Sequence, residues 1–154
     1  MDIQIIDLDN CISDDFWRLD KITNEAKPEF FEGTDNEFKY HLYHLNHIFD
    51  KSANLEKIIG FQNIIMTARP ACFFKQTMLW LEHHGFFPHI KASMFRPIGC
   101  DLPSVELKKQ MVEKLKFETN VNIIKAYDDR QDIVDMYKNE FDINSERLFI
   151  NDIH

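Results

Sequence analysis

Four short apolar segments, each followed by charged or hydroxyl side chains, most strongly constrain the fold of this chain. They occupy residues 2–7, 62–67, 89–95 and 121–127, and a fifth candidate strand spans residues 147–151. The first four are rich in isoleucine or aromatic residues and show no clean alternation of apolar and polar side chains. This pattern is typical of parallel strands that are covered on both faces.

Helical patterns separate these strands. Apolar residues recur at helical spacing in residues 70–84, 103–116 and 130–139. Prolines at the start of the first two suit the first turn of a helix. Alternating strands and helices predict a Rossmann-like, three-layer α/β/α fold with a central parallel sheet of about five strands. With 154 residues, the chain suits a single domain over residues 1–154.

The segment 14–60 is longer than an ordinary connection between two elements. Within it, Leu42, Leu45 and Phe49 have helical spacing, which predicts a helix whose apolar stripe faces the core. We interpret 14–60 as a small helical insertion near the functional site, too short to form a full cap domain.

Composition and charge argue against several classes of protein. The longest apolar runs are too short to span a bilayer, and no secretory leader follows Met1. The three cysteines form no C-x-x-C pair, which favours free thiols in a reducing compartment such as the cytoplasm. A formal net charge of −8 argues against a broad nucleic-acid surface but allows a small basic pocket. No obligate protein partner is evident.

Charged and hydroxyl side chains follow the predicted strands. They are Asp7 and Asp9 after the first, Thr67 and Arg69 after the second, Arg96 after the third with Lys108 and Lys109 on the next helix, and Asp128, Asp129 and Arg130 after the fourth. Because the carboxyl ends of parallel strands meet at one edge of the sheet, these side chains should converge. Clustered carboxylates repel one another, and a hard cation such as Mg²⁺ would hold them ionised.

This set of groups suits phosphoryl transfer. One carboxylate can attack phosphorus and form an aspartyl-phosphate. A second, two residues further on, can protonate the leaving oxygen and later activate water. A hydroxyl group and a lysine can neutralise charge on the transferring group.

The order of these motifs resembles that of haloacid dehalogenase (HAD) superfamily phosphatases. The stretch "IIDLDNC" corresponds to the first motif, Thr67 to the second, a helix lysine to the third and "YDD" to the fourth. The resemblance implies the HAD fold and Mg²⁺-dependent phosphatase activity. It implies that Asp7 is the nucleophile and a metal ligand, and that Asp9 is the general acid/base and gives its backbone carbonyl to the metal. The other implied roles are phosphoryl binding by Thr67 and Lys108 and Mg²⁺ binding by Asp128 and Asp129.

Within that superfamily, the chain is similar to the phosphatase domain of phage-type polynucleotide kinase-phosphatases and their stand-alone relatives. The similarity rests on Arg18 in "SDDFWR", and on "TARP", "MFRP" and "YDDRQDIVDMY". As in that family, one arginine follows the nucleophile by eleven residues, and Arg96 precedes Lys108 by twelve. The second spacing favours Lys108 over Lys109 as the lysine of the third motif. The substrate-binding residues that the similarity implies are Arg18, Arg69 and Arg96.

Three positions depart from the family pattern. Asn10 stands where glycine is usual, and asparagine also tolerates a left-handed turn. Cys11 replaces a threonine or valine. Ser104 stands four residues before Lys108, where the family has a substrate-side aspartate. This last change favours a small nucleotide over a polynucleotide 3′-phosphate.

Two groups of side chains have alternative interpretations. His41, His44 and His47 are three residues apart, which spreads them over about 120° of a helix surface. We favour a polar helix face over a zinc site for these histidines. Four aromatic residues are candidates either for stacking on a nucleobase or for burial: Trp17, Phe30, Phe31 and Phe38.

The predicted function is that of a Mg²⁺-dependent phosphomonoesterase that acts through an aspartyl-phosphate on a nucleotide-type substrate. A (deoxy)nucleoside monophosphate is favoured over a nucleic-acid 3′-phosphate end, because the charge of −8 disfavours a long polyanion. The alternatives are a polynucleotide 3′-phosphatase and a non-catalytic nucleotide-binding or regulatory protein with the same fold.

Overall fold

The computed structural model describes residues 1–21 and 41–153. Its strands are β1 (Asp2–Ile6), β2 (Ser13–Asp14), β3 (Lys51–Ser52), β4 (Asn63–Pro70), β5 (Ile90–Arg96), β6 (Asn122–Asp128) and β7 (Ser145–Arg147). Five of them form a parallel sheet in the order β5-β4-β1-β6-β7. The short strands β2 and β3 form a separate antiparallel pair.

Helices cover both faces of the parallel sheet. They are α1 (Phe74–His83), α2 (Ser104–Glu118) and α3 (Gln131–Phe141). Short 3₁₀ helices lie at Phe16–Lys21, Asn46–Phe49, Leu55–Lys57, Ala71–Phe73 and Phe87–His89. Along β1, Ile3 and Ile5 pack with α2 and α3, whereas Ile6 packs with Trp80 and Leu81 of α1 on the other face. The predicted three-layer α/β/α fold with a five-stranded parallel sheet is confirmed.

The last strand lies earlier than predicted. β7 ends at Arg147, so the predicted strand over 147–151 is wrong beyond its first residue. After β7 the backbone crosses the carboxyl edge of the sheet, where the Leu148 N–H donates to the carbonyl of Asp128 (2.9 Å). Backbone hydrogen bonds from Leu148 and Ile150, two of the apolar residues that suggested a strand, therefore hold the chain across this edge.

The buried face of the helical segment 41–49 also differs from the prediction. Leu45 and Phe49, predicted to face the core, are 46% and 68% exposed. His44 and His47, predicted to lie on a polar face, are buried. The physical reason is that the inward face meets charged side chains at the strand ends as well as buried aromatic rings. The imidazole of His44 packs on Phe73 (ring centroids 4.9 Å), and that of His47 packs on Trp80 (5.0 Å).

Only part of the predicted insertion 14–60 falls within the described residues. Residues 22–40 lie outside them, and with them the candidate stacking residues Phe30, Phe31 and Phe38. The described parts contain two 3₁₀ helices and the short β2–β3 pair in addition to the segment 41–49. The interpretation of 14–60 as an insertion without a full cap stays a prediction.

Asp50 joins the two described parts of this insertion. Its carboxylate accepts hydrogen bonds from Ser13 Oγ (2.7 Å), from Trp17 Nε1 (2.8 Å) and from Nε and Nη2 of Arg18 (2.8 and 2.7 Å). Arg18 Nη1 donates to the carbonyl of Tyr43 (2.8 Å). The side chains of Asp50 and Arg18 are fully buried. Removing one partner of such a pair is costly because the other charge stays buried with less compensation, and among the described residues Arg18 would keep only the carboxylate of Asp9 (2.7 Å).

We therefore expect Asp50→Asn to lower the free energy of unfolding by about 3 kcal/mol, because Arg18 keeps its charge but loses a carboxylate. Urea denaturation measures this change. Lys114→Ala is the control, because it removes an exposed ion pair with Glu118 (2.9 Å) and should cost less than about 0.5 kcal/mol. An equally small loss in Asp50→Asn would show that Arg18 does not depend on Asp50.

Candidate active site

A cavity of about 250 Å³ opens at the carboxyl edge of the sheet. Nine predicted side chains line it: Asp7, Asp9, Thr67, Arg69, Arg96, Lys108, Asp128, Asp129 and Arg130. Arg18 contacts the cavity indirectly, through a hydrogen bond to Asp9. The parallel topology explains this convergence, because it places the carboxyl ends of β1, β4, β5 and β6 at one edge.

Lys108 on α2 bridges two of the carboxylates. Its Nζ donates to Asp7 Oδ1 (2.7 Å) and to Asp128 Oδ2 (2.6 Å). Burial by itself lowers the pKa of Lys108, but these two carboxylates outweigh it and raise the pKa well above its usual value. Lys109 instead pairs with Glu140 (3.1 Å), away from the cavity. The geometry therefore places Lys108, and not its neighbour, in the site.

Asp7, Asp128 and Asp129 form a group that can hold a metal ion. Each offers a carboxylate oxygen, and these oxygens lie within 4.8 Å of one another. Burial, followed by repulsion from Asp7, raises the pKa of Asp128 to about 6 and that of Asp129 to about 10. A bound cation would relieve this repulsion, and three oxygen donors suit a hard divalent cation such as Mg²⁺. The side chain of Asp9 lies outside this group.

Asp9 lies between two arginines. Its Oδ1 accepts hydrogen bonds from Nη2 of Arg18 (2.7 Å) and from Nη2 of Arg69. Burial by itself raises the pKa of Asp9, but the guanidinium groups of Arg69 and Arg18 hold it well below its usual range. Arg69 is fixed in turn by a hydrogen bond from Nη1 to Thr77 Oγ1 (2.8 Å). Asp9 is thus both oriented and held ionised.

The three predicted substrate arginines have different contacts. The donors of Arg18 are used by protein groups, as described above. Arg96 donates to backbone carbonyls, which belong to Ala68 (3.0 Å), Cys100 (3.2 Å) and Leu102 (2.6 Å). Arg69 keeps a buried Nε–H that has no hydrogen-bond partner among the described residues. These contacts favour supporting roles for Arg18 and Arg96, and the predicted substrate contacts of all three stay predictions.

Several groups at the cavity were not predicted from the sequence. Asn10 was predicted only as a turn residue, whereas its side chain contacts Asp129 (Nδ2 to Oδ2, 3.1 Å). Tyr43 and Asp15 also line the cavity, and the Tyr43 hydroxyl donates to Asp15 Oδ2. The departure from glycine at position 10 was the available signal for the first of these contacts.

The parallel sheet and the acid-lined cavity at its carboxyl edge define a phosphatase-like α/β protein. Residues 54–152, more than half of the chain, match the family described as PITM 1-3, LNS2 domain. The chain belongs to this family.

Solved structures with low sequence identity share the fold. A chain in the structure of the Pnkp1/Rnl/Hen1 RNA repair complex has a TM-score of 0.69 and 16% identity, with 99% of this chain and 43% of that chain covered. A chain in a second Pnkp1/Rnl/Hen1 structure has a TM-score of 0.65 and 17% identity, with coverages of 96% and 45%. A proposed phosphatase from Clostridium difficile has a TM-score of 0.58 and 18% identity, with 93% of this chain and 82% of that chain covered.

These similarities show the fold alone. The chain spans less than half of the length of the two Pnkp1/Rnl/Hen1 chains. No curated protein matches the sequence. Within the described ranges, every helix is too short or too polar to cross a bilayer.

We expect Mg²⁺ to raise the melting temperature of the wild-type protein, because it would relieve the repulsion among Asp7, Asp128 and Asp129. At a Mg²⁺ concentration 100 times the Kd, the gain in unfolding free energy is about 2.7 kcal/mol. The Asp128→Asn/Asp129→Asn variant should lose this gain, whereas Glu118→Gln, at an exposed carboxylate, should keep it. Differential scanning fluorimetry with Mg²⁺ and with EDTA measures both. An undiminished Mg²⁺ response in the double variant would contradict the assignment of the metal site.

Proposed function

We propose that this protein is a HAD-type, Mg²⁺-dependent phosphomonoesterase that acts through an aspartyl-phosphate on a small nucleotide. The observation that carries the proposal is the contact of buried Lys108 with Asp7 (2.7 Å) and Asp128 (2.6 Å) at the cavity. This arrangement joins a candidate nucleophile, a cation and a metal-binding carboxylate. The family and the phosphatase-like neighbours support phosphoester hydrolysis in general.

In the first step, a carboxylate oxygen of Asp7 attacks phosphorus, and the bond from phosphorus to the leaving oxygen breaks. Lys108 orients Asp7 and neutralises charge on the transferring group. Thr67, a buried residue of β4 that lines the cavity, would donate a hydrogen bond from its hydroxyl to a phosphoryl oxygen. Mg²⁺, when held by Asp7, Asp128 and Asp129, would supply further charge neutralisation at the phosphoryl oxygens.

Asp9 transfers protons in both steps. It gives a proton to the leaving oxygen, and in the second step it takes a proton from water while that water attacks phosphorus. The second attack releases phosphate and restores the Asp7 carboxylate. The lowered pKa of Asp9 keeps its carboxylate ionised, so it is available to accept a proton in the second step. For the first step, a substrate oxygen that takes over the hydrogen bond of Arg69 would leave Asp9 with one guanidinium and raise its pKa.

Size and charge support a small substrate, such as a (deoxy)nucleoside monophosphate. The cavity of about 250 Å³ is small for a ligand pocket. The net charge of −8 disfavours a long polyanion. Moreover, most donors of Arg18 and Arg96 are already used within the protein.

A polynucleotide 3′-phosphatase is the second candidate. The observation that favours it is the match of 99% of this chain to a chain of the Pnkp1/Rnl/Hen1 RNA repair complex. A non-catalytic nucleotide-binding protein is disfavoured, because a protein that only binds has no need of both Asp7 and Asp9 at the cavity.

We expect Asp9→Asn to lower turnover of a nucleoside monophosphate by about 10²-fold, because the leaving alkoxide would lack a proton donor. The first step with nitrophenyl phosphate should suffer less, since nitrophenolate leaves without a proton. Phosphate release and the nitrophenolate burst measure the two effects. Asp135→Asn, at an exposed position on α3, is the control and should leave both rates unchanged. If Asp9→Asn slowed the first step equally with the nucleoside monophosphate and with nitrophenyl phosphate, this would argue against Asp9 as the acid.

Phosphate release from 5′- and 3′-nucleotides and from 3′-phosphorylated oligonucleotides, with and without Mg²⁺, tests the function as a whole. We expect kcat/KM for a nucleoside monophosphate to equal or exceed that for the oligonucleotide at moderate salt. Asp7→Asn, which is nearly isosteric, should fold and release no phosphate. A preference for oligonucleotides that rises with length and collapses with salt would instead support nucleic-acid end repair.

A further inference from the structure

The Asn10 side chain is buried at a turn between the first strand and the cavity. Its backbone φ is 58°, in the left-handed region that glycine and asparagine adopt most readily. Only 1% of the residue is exposed. An asparagine amide that is buried this completely needs hydrogen-bond partners for both its oxygen and its nitrogen.

The peptide groups of Asn151 supply those partners and fix the orientation of the amide. Asn10 Oδ1 accepts from the Asn151 N–H (2.9 Å), and Asn10 Nδ2 donates to the Asn151 carbonyl (2.9 Å). Because a backbone N–H only donates and a carbonyl only accepts, the amide of Asn10 has one allowed orientation here. Its second N–H then points at Asp129 Oδ2 (3.1 Å).

The segment 147–151 also forms hydrogen bonds with the backbone near Asn10 and near Asp129. Arg147 Nε donates to the carbonyl of Asp129 (2.7 Å), and the Leu148 N–H donates to the carbonyl of Asp128 (2.9 Å). The Ile150 N–H donates to the carbonyl of Asn10 (2.9 Å). The loop after β1 and the loop after β6 are therefore joined through one segment.

We propose that Asn10 is a positioning residue for Asp129, and that the peptide groups of Asn151 orient it for this role. The inference rests on the proposed metal site, in which Asp129 is a ligand. The amide N–H occupies one lone pair of Asp129 Oδ2 and limits rotation of the carboxylate. This keeps a carboxylate oxygen of Asp129 within 4.8 Å of those of Asp7 and Asp128. A glycine at position 10 would preserve the turn but leave this carboxylate without that contact.

Asn10→Gly tests the proposal, because glycine adopts φ of 58° without strain. We expect its Kd for Mn²⁺, and for Mg²⁺ in competition, to rise about tenfold, as for other losses of a group that orients a metal ligand. Electron paramagnetic resonance of free Mn²⁺ measures the Kd without any assay of turnover. Asp142→Gly is the matched control, because Asp142 has φ of 54° at the end of α3 and should leave the Kd unchanged.

Turnover of Asn10→Gly should also recover towards the wild-type rate as Mg²⁺ is raised to saturation. A loss of turnover that saturating Mg²⁺ does not restore would overturn the proposal, since Asn10 would then act on the fold rather than on the metal ligand. If Asn10→Gly does not fold, Asn10→Ala replaces it, because alanine has no side-chain donor for Asp129. Asp142→Ala then controls for the strain of alanine at a positive φ.

Other outcomes separate this inference from the proposed function. Equal Mn²⁺ affinity in the wild-type protein and Asn10→Gly would overturn the role of Asn10 and leave the phosphatase proposal intact. Absence of Mn²⁺ and Mg²⁺ binding in the wild-type protein would overturn the metal site, and the inference with it.

Discussion

The buried ion pairs of Lys108 with Asp7 and Asp128 are the contacts on which the rest of the site depends. Without a cation, carboxylates gathered at the carboxyl edge of a parallel sheet would repel one another in a low-dielectric environment. Lys108 lies between the loops after β1 and β6, so one ammonium group compensates charge on both. The crowding is not fully relieved, as the raised pKa of Asp129, about 10, indicates. A divalent cation bound there would relieve the repulsion that remains among these carboxylates.

Asp7 and Asp9 are separated by one residue but have different neighbours. Asp7 belongs to the acidic group with Asp128 and Asp129 and pairs with Lys108, whereas Asp9 contacts two guanidinium groups. Strand alternation would put residues two apart on the same side, but β1 ends at Ile6, so this alternation does not continue through Asp9. Two carboxylates with different neighbours are suited to different chemical roles. These surroundings support the proposed roles of Asp7 as nucleophile and metal ligand and of Asp9 as the proton-transfer group.

The sequence predicted most of the scaffold and much of the cavity. Short apolar segments followed by Asp7, Thr67 and Asp128 were sufficient to predict the sheet, because parallel strands place such residues at one edge. The prediction failed where the buried side chains are polar. Apolar spacing predicted that Leu45 and Phe49 face inward. The structure instead buries the opposite face of that helical segment, which carries His44 and His47. Nor could local pattern predict that the segment after β7 would satisfy the Asn10 amide, since that contact joins residues far apart in the chain.

The segment 41–49 and Asp50 after it link the stability of the fold to the proposed chemistry of Asp9. Asp50, directly after that segment, fixes the Arg18 guanidinium, and the same guanidinium donates to Asp9 Oδ1. His47 is fully buried beside Trp80 (ring centroids 5.0 Å), and burial lowers its pKa, so it stays neutral near these arginines. A charged imidazolium there would add a third positive group against Asp9 and repel Arg69. The neutral, buried histidine thus lets the segment pack over the arginines without adding a positive charge that would repel Arg69.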